Sequence, residues 1–141
     1  MDDTDKRLIS LLKENARSPT AELGRRLGLS RTTVQGRIER LERQGVIVGY
    51  TARLSDDHER GAVRAHVMIT VRPKEARSVE SALRALPSVR VLHSVSGPFD
   101  LLAVLIAPTV AEMDETIDQI GDLPGVERTT TSIILSTRLD R

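Results

Sequence analysis

The tetrapeptide LPSV at residues 86–89 recurs as LPGV at residues 123–126, and this repeat indicates how the second half of the chain folds. Each copy follows a run of β-forming residues, a proline and a helical segment, and each copy precedes a further β-forming run. Strand, helix and strand given twice is the βαββαβ order of ferredoxin-like folds. The repeat therefore predicts a four-stranded antiparallel sheet, with helices at 75–86 and 110–121 on one face.

A short turn, Gly97-Pro98, lies between the two copies. The alternative is two separate βαβ units. It is disfavoured because it would leave the second and third strands unpaired with each other, although only this short turn joins them. If both helices lie on one face of a single sheet, the other face carries no helix. In the final strand, at 129–135, about half of the side chains carry a hydroxyl group and the others are aliphatic. An aliphatic uncovered face favours pairing with a second copy, so we expect a dimer through this half.

The first 45 residues contain three helical segments with recognisable ends. Asp2 and Asp5 form a start signal for the first segment, a Ser-Pro pair at 18–19 starts the second, and Ser30 starts the third after a break at Gly28. A short helix, a tight turn and a longer capped helix are the helix-turn-helix pattern. In that pattern the exposed start of the last helix meets the base edges of double-stranded DNA.

Positive charge is concentrated around the last of these helices. Residues 17–43 hold seven arginines and three glutamates, a balance of +4, whereas residues 61–141 hold nine basic and ten acidic residues, a balance of −1. This asymmetry predicts an anionic partner for the first half only. The predicted DNA contacts are polar residues at the start of the third helix and two later arginines suited to phosphates: Ser30, Arg31, Thr32, Thr33, Gln35 and Arg37, then Arg40 and Arg43. A small three-helix interaction module with solvated arginines is the alternative.

Gly36 stands inside the same helix, where glycine costs roughly 1 kcal/mol relative to alanine. It predicts a close approach at that point, either by DNA or by a neighbouring helix. The run 46–54 that follows the helices is rich in β-formers and predicts a strand, and the polar run 55–61 predicts a linker.

The sequence thus predicts an α+β chain of two domains. Residues 1–45 form a winged helix-turn-helix domain, residues 46–61 a β-strand and linker, and residues 62–141 a ferredoxin-like βαββαβ domain. At these sizes each domain is near the lower limit for independent stability, which also favours oligomerisation.

Nothing in the composition favours an enzyme. The chain has no cysteine, and its three histidines, at 58, 66 and 93, lack metal-ligand spacing. No nucleophile elbow, P-loop, metalloprotease motif or dinucleotide fingerprint occurs. We therefore expect no catalytic residue, no metal and no cofactor. The absence of a signal peptide and of a long apolar run predicts a cytoplasmic protein without a membrane partner.

Seven short motifs are spread over almost the whole chain: D-x-x-D-x-x-L-I at 2–9, N-A-R-S at 15–18, E-L at 22–23, G-L-S at 28–30, V-x-x-R-I-x-x-L at 34–41, G-V-I-x-G-Y at 45–50 and G-x-F/Y-D at 97–100. In these motifs, and in their order and spacing, the sequence resembles the Lrp/AsnC family of regulators. The resemblance implies a transcription factor whose second domain, of the RAM type, binds an effector and oligomerises. It also implies dimers, four of which assemble into an octamer.

The resemblance further implies that a small effector, usually an amino acid, binds between dimers near the G-x-F/Y-D turn. On this sequence the implied pocket residues are Ser96, Gly97, Pro98, Phe99, Asp100, Thr130, Thr131 and Ser132. A carboxylate such as Asp100 suits the ammonium of an amino acid, and turn N–H groups and hydroxyls suit its carboxylate. The alternative for Asp100 is an acid that only stabilises the turn. Two residues depart from the family pattern: Pro98 removes one turn N–H, and Arg60 stands where an apolar residue is usual.

Three functions follow. The first is a DNA-binding transcriptional regulator that is modulated by an amino acid or a related metabolite. The second is an architectural DNA-binding protein that needs no effector. The third is an enzyme like the sirohaem decarboxylases, which resemble the same two-part architecture but rely on pocket histidines. The candidate pocket contains no histidine, so the third function is disfavoured.

Overall fold

The computed structural model describes residues 1–55, 58 and 61–141, and it divides the chain into two compact units, Met1–Arg53 and Leu54–Arg141. The division falls inside the segment predicted to connect the two domains. The departure from the family pattern at Arg60 lies outside the described residues.

The first unit is built from three helices, α1 (Asp3–Glu14), α2 (Thr20–Leu27) and α3 (Arg31–Arg43). The predicted start signal of α1 is a full capping box, in which the Asp2 side chain accepts from the N–H of Asp5 and the Asp5 side chain accepts from the N–H of Asp2. One apolar stripe from each helix faces a shared core, whose buried side chains are Leu8, Leu12, Leu23, Val34, Ile38 and Leu41.

The turn between α2 and α3 depends on two glycines. Gly28 has a φ of 71°, in the left-handed region that favours glycine. A Cβ on Gly24 would lie 2.5 Å from the carbonyl oxygen of Leu29, a distance that no side chain tolerates. The close approach lets the N–H of Leu29 donate to the carbonyl of Gly24 at 2.8 Å. This contact fixes where the chain leaves α2 and enters α3.

The strand predicted at 46–54 is wrong, because the structure has a bend and irregular backbone there. The N–H groups of Val46 and Ile47 donate to the carbonyl of Leu41, at 2.9 and 3.1 Å, and so complete the end of α3. A strand needs a neighbouring strand for its backbone groups. Among the described residues no strand is paired with this segment, so its β-forming composition alone does not make it a strand.

The second unit is the predicted four-stranded antiparallel sheet, β1 (Val63–Val71), β2 (Val89–Ser94), β3 (Leu101–Ala107) and β4 (Val126–Ile133). The strand order is β2-β3-β1-β4. Helices α4 (Ala76–Arg84) and α5 (Val110–Gly121) connect the strands, and a 3-10 turn (Pro73–Glu75) precedes α4. The βαββαβ order and the α+β fold class are confirmed.

The two faces of this sheet differ in burial. On β1 and β3, alternate residues are buried against α4 and α5: Ala65, Val67, Ile69, Val71, Leu101, Ala103, Leu105 and Ala107. The residues between them point to the other face, where Met68 and Leu102 are half-buried and His66 is exposed. Within the described ranges, no helix has the length and apolar character needed to cross a membrane.

Candidate DNA-recognition surface and effector turn

An open groove of about 620 Å³ lies over the first turns of α3. Its lining residues are Thr20, Arg31, Thr32, Gln35, Gly36 and Glu39. Three of the predicted base-contacting residues, Arg31, Thr32 and Gln35, are therefore neighbours on one exposed surface. This is the surface that a recognition helix presents to the major groove. We call these six residues the α3 groove.

Gln35 is held in a defined orientation within the α3 groove. Its Nε2 donates to Oε1 of Glu39 at 3.0 Å, one helical turn further along. Because a carboxylate only accepts hydrogen bonds, the Gln35 amide nitrogen must face Glu39. The amide oxygen and the second N–H hydrogen of Gln35 stay available. Sequence reasoning missed the role of Glu39, although the i, i+4 spacing of the two residues could have revealed it.

Gly36 has no structural reason to be glycine within its own unit. A Cβ built on Gly36 would meet no described atom within 4 Å, and its φ lies outside the left-handed region. A close approach by a neighbouring helix, one of the two predicted reasons, is therefore wrong. Close approach by DNA, the other predicted reason, stays a prediction.

Ser30 and Thr33 are engaged in the cap of α3. The Ser30 Oγ accepts from the backbone N–H of Thr33 at 3.2 Å, and the two hydroxyl oxygens are 2.8 Å apart. Both side chains are exposed. The pair fixes the first turn of the helix, as a Ser N-cap does.

Arg37 and Arg40 lie against α1 rather than in the α3 groove. Nη1 of Arg37 is 2.8 Å from Oδ2 of Asp2 and 2.8 Å from Oδ1 of Asp5, and Nη2 of Arg40 is 2.9 Å from Oδ2 of Asp5. We call these four residues the α1–α3 clamp. The charge balance of +4 omitted both acids, because Asp2 and Asp5 precede residue 17. In contrast, Arg43 is exposed and has no hydrogen-bond or ion-pair partner among the described residues.

The α1–α3 clamp perturbs the ionisation of its members. The hydrogen bond from Arg37 lowers the pKa of Asp2 to about 2, and the bond from the N–H of Asp5 acts in the same direction. The Arg37 hydrogen bond also lowers the pKa of Asp5, in spite of its burial. The two carboxylates in turn raise the pKa of Arg37. All three groups are thus held in their charged forms.

In the second unit, the predicted effector turn Ser96–Asp100 connects β2 to β3. Gly97 has a φ of 109°, so the turn requires glycine there. The N–H of Asp100 donates to the carbonyl of Ile69 and Oδ2 of Asp100 accepts from the N–H of Val71 at 2.9 Å, so this residue joins the turn to β1. The turn-stabilising role of Asp100 is therefore realised. Its other carboxylate oxygen, Oδ1, makes no hydrogen bond to a described residue, so it is available to a ligand.

The three predicted hydroxyls of β4 do not share one face. Thr130 is opposite Met68 and Ser132 is opposite His66, so both belong to the uncovered face. Thr131 is opposite the buried Val67 and lies on the helix-covered side. Because β1 stands between β3 and β4, the turn that begins β3 is about 10 Å from β4. One chain does not bring these two groups of predicted residues into direct contact.

Thr70 was missed by the sequence reasoning. It alternates with Met68 and His66 on the uncovered face of β1, next to the N–H group that Asp100 accepts from. Its hydroxyl oxygen is buried and has no hydrogen-bond partner among the described residues. Buried hydroxyls are normally paired, so this atom is an exception. The alternation of AHVMITV at 65–71 could have placed it on the same face as Thr130 and Ser132.

A helix-turn-helix unit with an exposed α3 groove, joined to a βαββαβ unit, defines a DNA-binding regulator of the two-domain type. The AsnC-type helix-turn-helix domain model matches residues 1–42, and the Lrp/AsnC ligand binding domain model matches residues 64–141. The chain belongs to the Lrp/AsnC family.

Individual relatives agree with this assignment. The HTH-type transcriptional regulator LysM of Saccharolobus solfataricus is 30% identical over 97% of this chain and 95% of its own length. The structure of Escherichia coli AsnC has a TM-score of 0.90 at 23% identity, covering 100% of this chain and 96% of AsnC, which shows a common fold. A transcriptional regulator of Neisseria meningitidis, solved as a complex with L-Met, has a TM-score of 0.89 at 26% identity, covering 99% of this chain and 93% of its own.

The family assignment settles the class of function. The chain is a helix-turn-helix transcriptional regulator that binds DNA and carries a ligand-binding domain, and it is not an enzyme. The sirohaem decarboxylase alternative is therefore set aside. Among the described residues, no group of three or more His, Asp or Glu side chains is arranged to hold a metal ion.

Proposed function

We propose that the α3 groove binds the major groove of the operator, with Arg31, Thr32 and Gln35 on base edges. The observation that carries this proposal is the exposed cluster of these three side chains around Gly36. Ser30 and Thr33 sit at the helix start, where their hydroxyls can contact the phosphate backbone while they cap the helix. Arg43, exposed and unpaired among the described residues, is assigned to a phosphate. These assignments replace a direct role for Arg37 and Arg40.

The orientation of Gln35 supports a particular base preference. A glutamine recognises adenine through two hydrogen bonds, one accepted from N6 and one donated to N7. The bond to Glu39 uses one hydrogen of the Gln35 amide and leaves the oxygen and the second hydrogen for such a contact. We assign Gln35 to an adenine in each half-site, with Glu39 holding the amide in place.

The second part of the proposal is an effector with the chemistry of an amino acid. Oδ1 of Asp100 offers an acceptor for an ammonium group, and the exposed hydroxyls of Thr130 and Ser132 offer donors for a carboxylate. The relative from Neisseria meningitidis was solved with L-Met, which supports an amino acid as the ligand class. Because turn and β4 lie about 10 Å apart in one chain, the proposed pocket draws its groups from more than one chain.

The third part is self-association. Met68, Leu102 and Val91 give the uncovered sheet face an aliphatic surface, and Val91 is 42% exposed. Such a face supports a dimer that pairs two sheets, and a dimer also provides two recognition helices about one DNA turn apart. Assembly of four dimers into an octamer is the form that the family resemblance favours. A regulator of this kind acts on the chromosome, which supports the cytoplasmic placement.

One experiment tests the three parts together. Genomic fragments are selected on the purified protein with and without a panel of amino acids, and the oligomer mass is measured by light scattering under the same conditions. The proposal expects a palindromic motif containing adenine, recovered differently in the presence of one effector. Fragments recovered without sequence preference, and without any amino-acid effect, would support an architectural DNA-binding protein instead.

A further inference from the structure

The α1–α3 clamp joins the N-terminal end of α1 to α3. Asp5 is central to it, because its carboxylate accepts from Nη1 of Arg37, from Nη2 of Arg40 and from the N–H of Asp2. The whole residue is only 1% exposed. Both oxygens of this buried carboxylate are therefore fully used within the first unit.

The charges within the clamp cancel. Two guanidinium groups face two carboxylates, so the four side chains add no net charge to the DNA-binding unit. Withdrawing either arginine toward a phosphate would remove hydrogen bonds from a carboxylate that has almost no access to water. A buried ion that loses its partner is strongly unfavourable, because the desolvation penalty is no longer offset. Arg40 is itself exposed, but Arg31 and Arg43 differ from it because they have no ion-pair partner among the described residues and so have no such obstacle.

We infer that Asp5 is a positioning residue for DNA recognition, and that it keeps Arg37 and Arg40 out of the DNA interface. Two hydrogen-bonded arginines, one helical turn apart on α3, are fixed to one point on α1. They set the rotation and tilt of α3, and with it the direction in which the α3 groove points. The inference rests on the proposed function of that groove. It assigns the electrostatic attraction for DNA along α3 to Arg31 and Arg43.

The salt dependence of DNA binding separates a phosphate contact from a structural arginine. Each phosphate contact contributes about 0.9 to the slope of log K against log salt concentration. Arg40→Gln and Arg43→Gln are a matched pair, because each removes one positive charge from the same helix, three residues apart. In the full-length protein, Arg43→Gln is expected to lower the slope by about 0.9 per protomer. Arg40→Gln is expected to leave the slope unchanged.

Asp5→Asn provides the complementary measurement. It keeps the shape of the capping side chain, removes the negative charge and releases the arginines, and Asp3→Asn is its control. Asp3 carries the same charge on the same helix, but its side chain is 94% exposed and its partner is Lys6. Asp5→Asn is expected to reduce the ratio of operator to random-duplex affinity at least tenfold and to steepen the salt slope. Asp3→Asn is expected to change the ratio less than twofold.

The outcomes are distinct. If Arg40→Gln lowers the slope as much as Arg43→Gln does, Arg40 contacts phosphate and the inference is overturned. The same holds if folded Asp5→Asn, checked by circular dichroism, keeps the slope and affinity ratio of Asp3→Asn. If Asp5→Asn does not fold, the pair of arginine variants still decides. If neither arginine variant alters the slope and Gln35→Ala leaves binding intact, the proposed α3 groove itself is wrong.

Discussion

Replacing Gly36 by alanine is expected to move protein stability and DNA affinity in opposite directions. Alanine is about 1 kcal/mol better than glycine in a helix interior. The added Cβ meets no described atom within 4 Å, so no steric cost offsets this gain. We expect the free energy of unfolding of the first unit to rise by about 1 kcal/mol in a urea titration.

The same methyl group stands in the α3 groove. If the DNA backbone or a base edge approaches Gly36 to van der Waals contact, a Cβ there forces the helix outward and loosens the contacts of Arg31 and Gln35. Losing one good base contact costs about 1–3 kcal/mol. We therefore expect Gly36→Ala to bind the operator at least tenfold more weakly in a shift assay, although the protein is more stable.

Gly121→Ala is the matched control, because Gly121 also lies in a helix and a Cβ there would likewise meet no described atom within 4 Å. It lies at the end of α5, in the ligand-binding domain, and should leave DNA affinity unchanged. The reasoning is refuted if Gly36→Ala binds the operator as tightly as the natural protein while its unfolding free energy rises. Gly36 would then be neither a DNA contact nor a structural requirement.

Three further outcomes follow from the contacts described. Asp100→Ala should abolish any change of operator affinity on addition of the effector in a shift assay, while light scattering finds the same oligomer. A response that persists in this variant would place the pocket elsewhere. Thr70→Val should raise the free energy of unfolding of the ligand-binding domain by about 1 kcal/mol, because it removes a buried hydroxyl that has no partner among the described residues. A loss of stability would show that the hydroxyl is paired in solution. Since the pKa values of Asp2 and Asp5 lie below their usual 3.8, the α1–α3 clamp should contribute its full stability above about pH 4 and lose it as the pH falls toward 2. A urea midpoint of the first unit that does not fall over this pH range would contradict the predicted direction of the stability change.

Local signals in the sequence were sufficient to predict the helix-turn-helix and the βαββαβ order. The capping residues Asp2, Asp5 and Ser30 and the break at Gly28 act within one helical turn, so their pattern can be recognised without coordinates. The repeat in the second half works in the same way, because each strand–helix–strand copy has its own periodicity. The strand predicted at 46–54 was wrong, because its composition suits a strand but the described sheet has no strand paired with it.

Predicting the candidate site was harder, because it depends more on contacts between residues that are distant in sequence. Arg37 and Asp2 are 35 residues apart, so a charge count over a window beginning at residue 17 could not reveal the α1–α3 clamp. The bond from the N–H of Val71 to Asp100 required the register of β1 against the turn. Strand alternation places Thr130 and Thr131 on opposite faces of the sheet, but which face each occupies was clear only once their partners on β1 were known.

The most direct test of the DNA-recognition surface is a selection of binding sites from random duplexes with the natural protein and with Gln35→Ala. The natural protein should enrich a palindromic motif with a strong adenine in each half-site. The variant should enrich the same motif with the preference at that adenine reduced, because one bidentate contact is worth about 1–3 kcal/mol of base discrimination. An identical motif from both proteins would contradict the assignment of the α3 groove to base recognition.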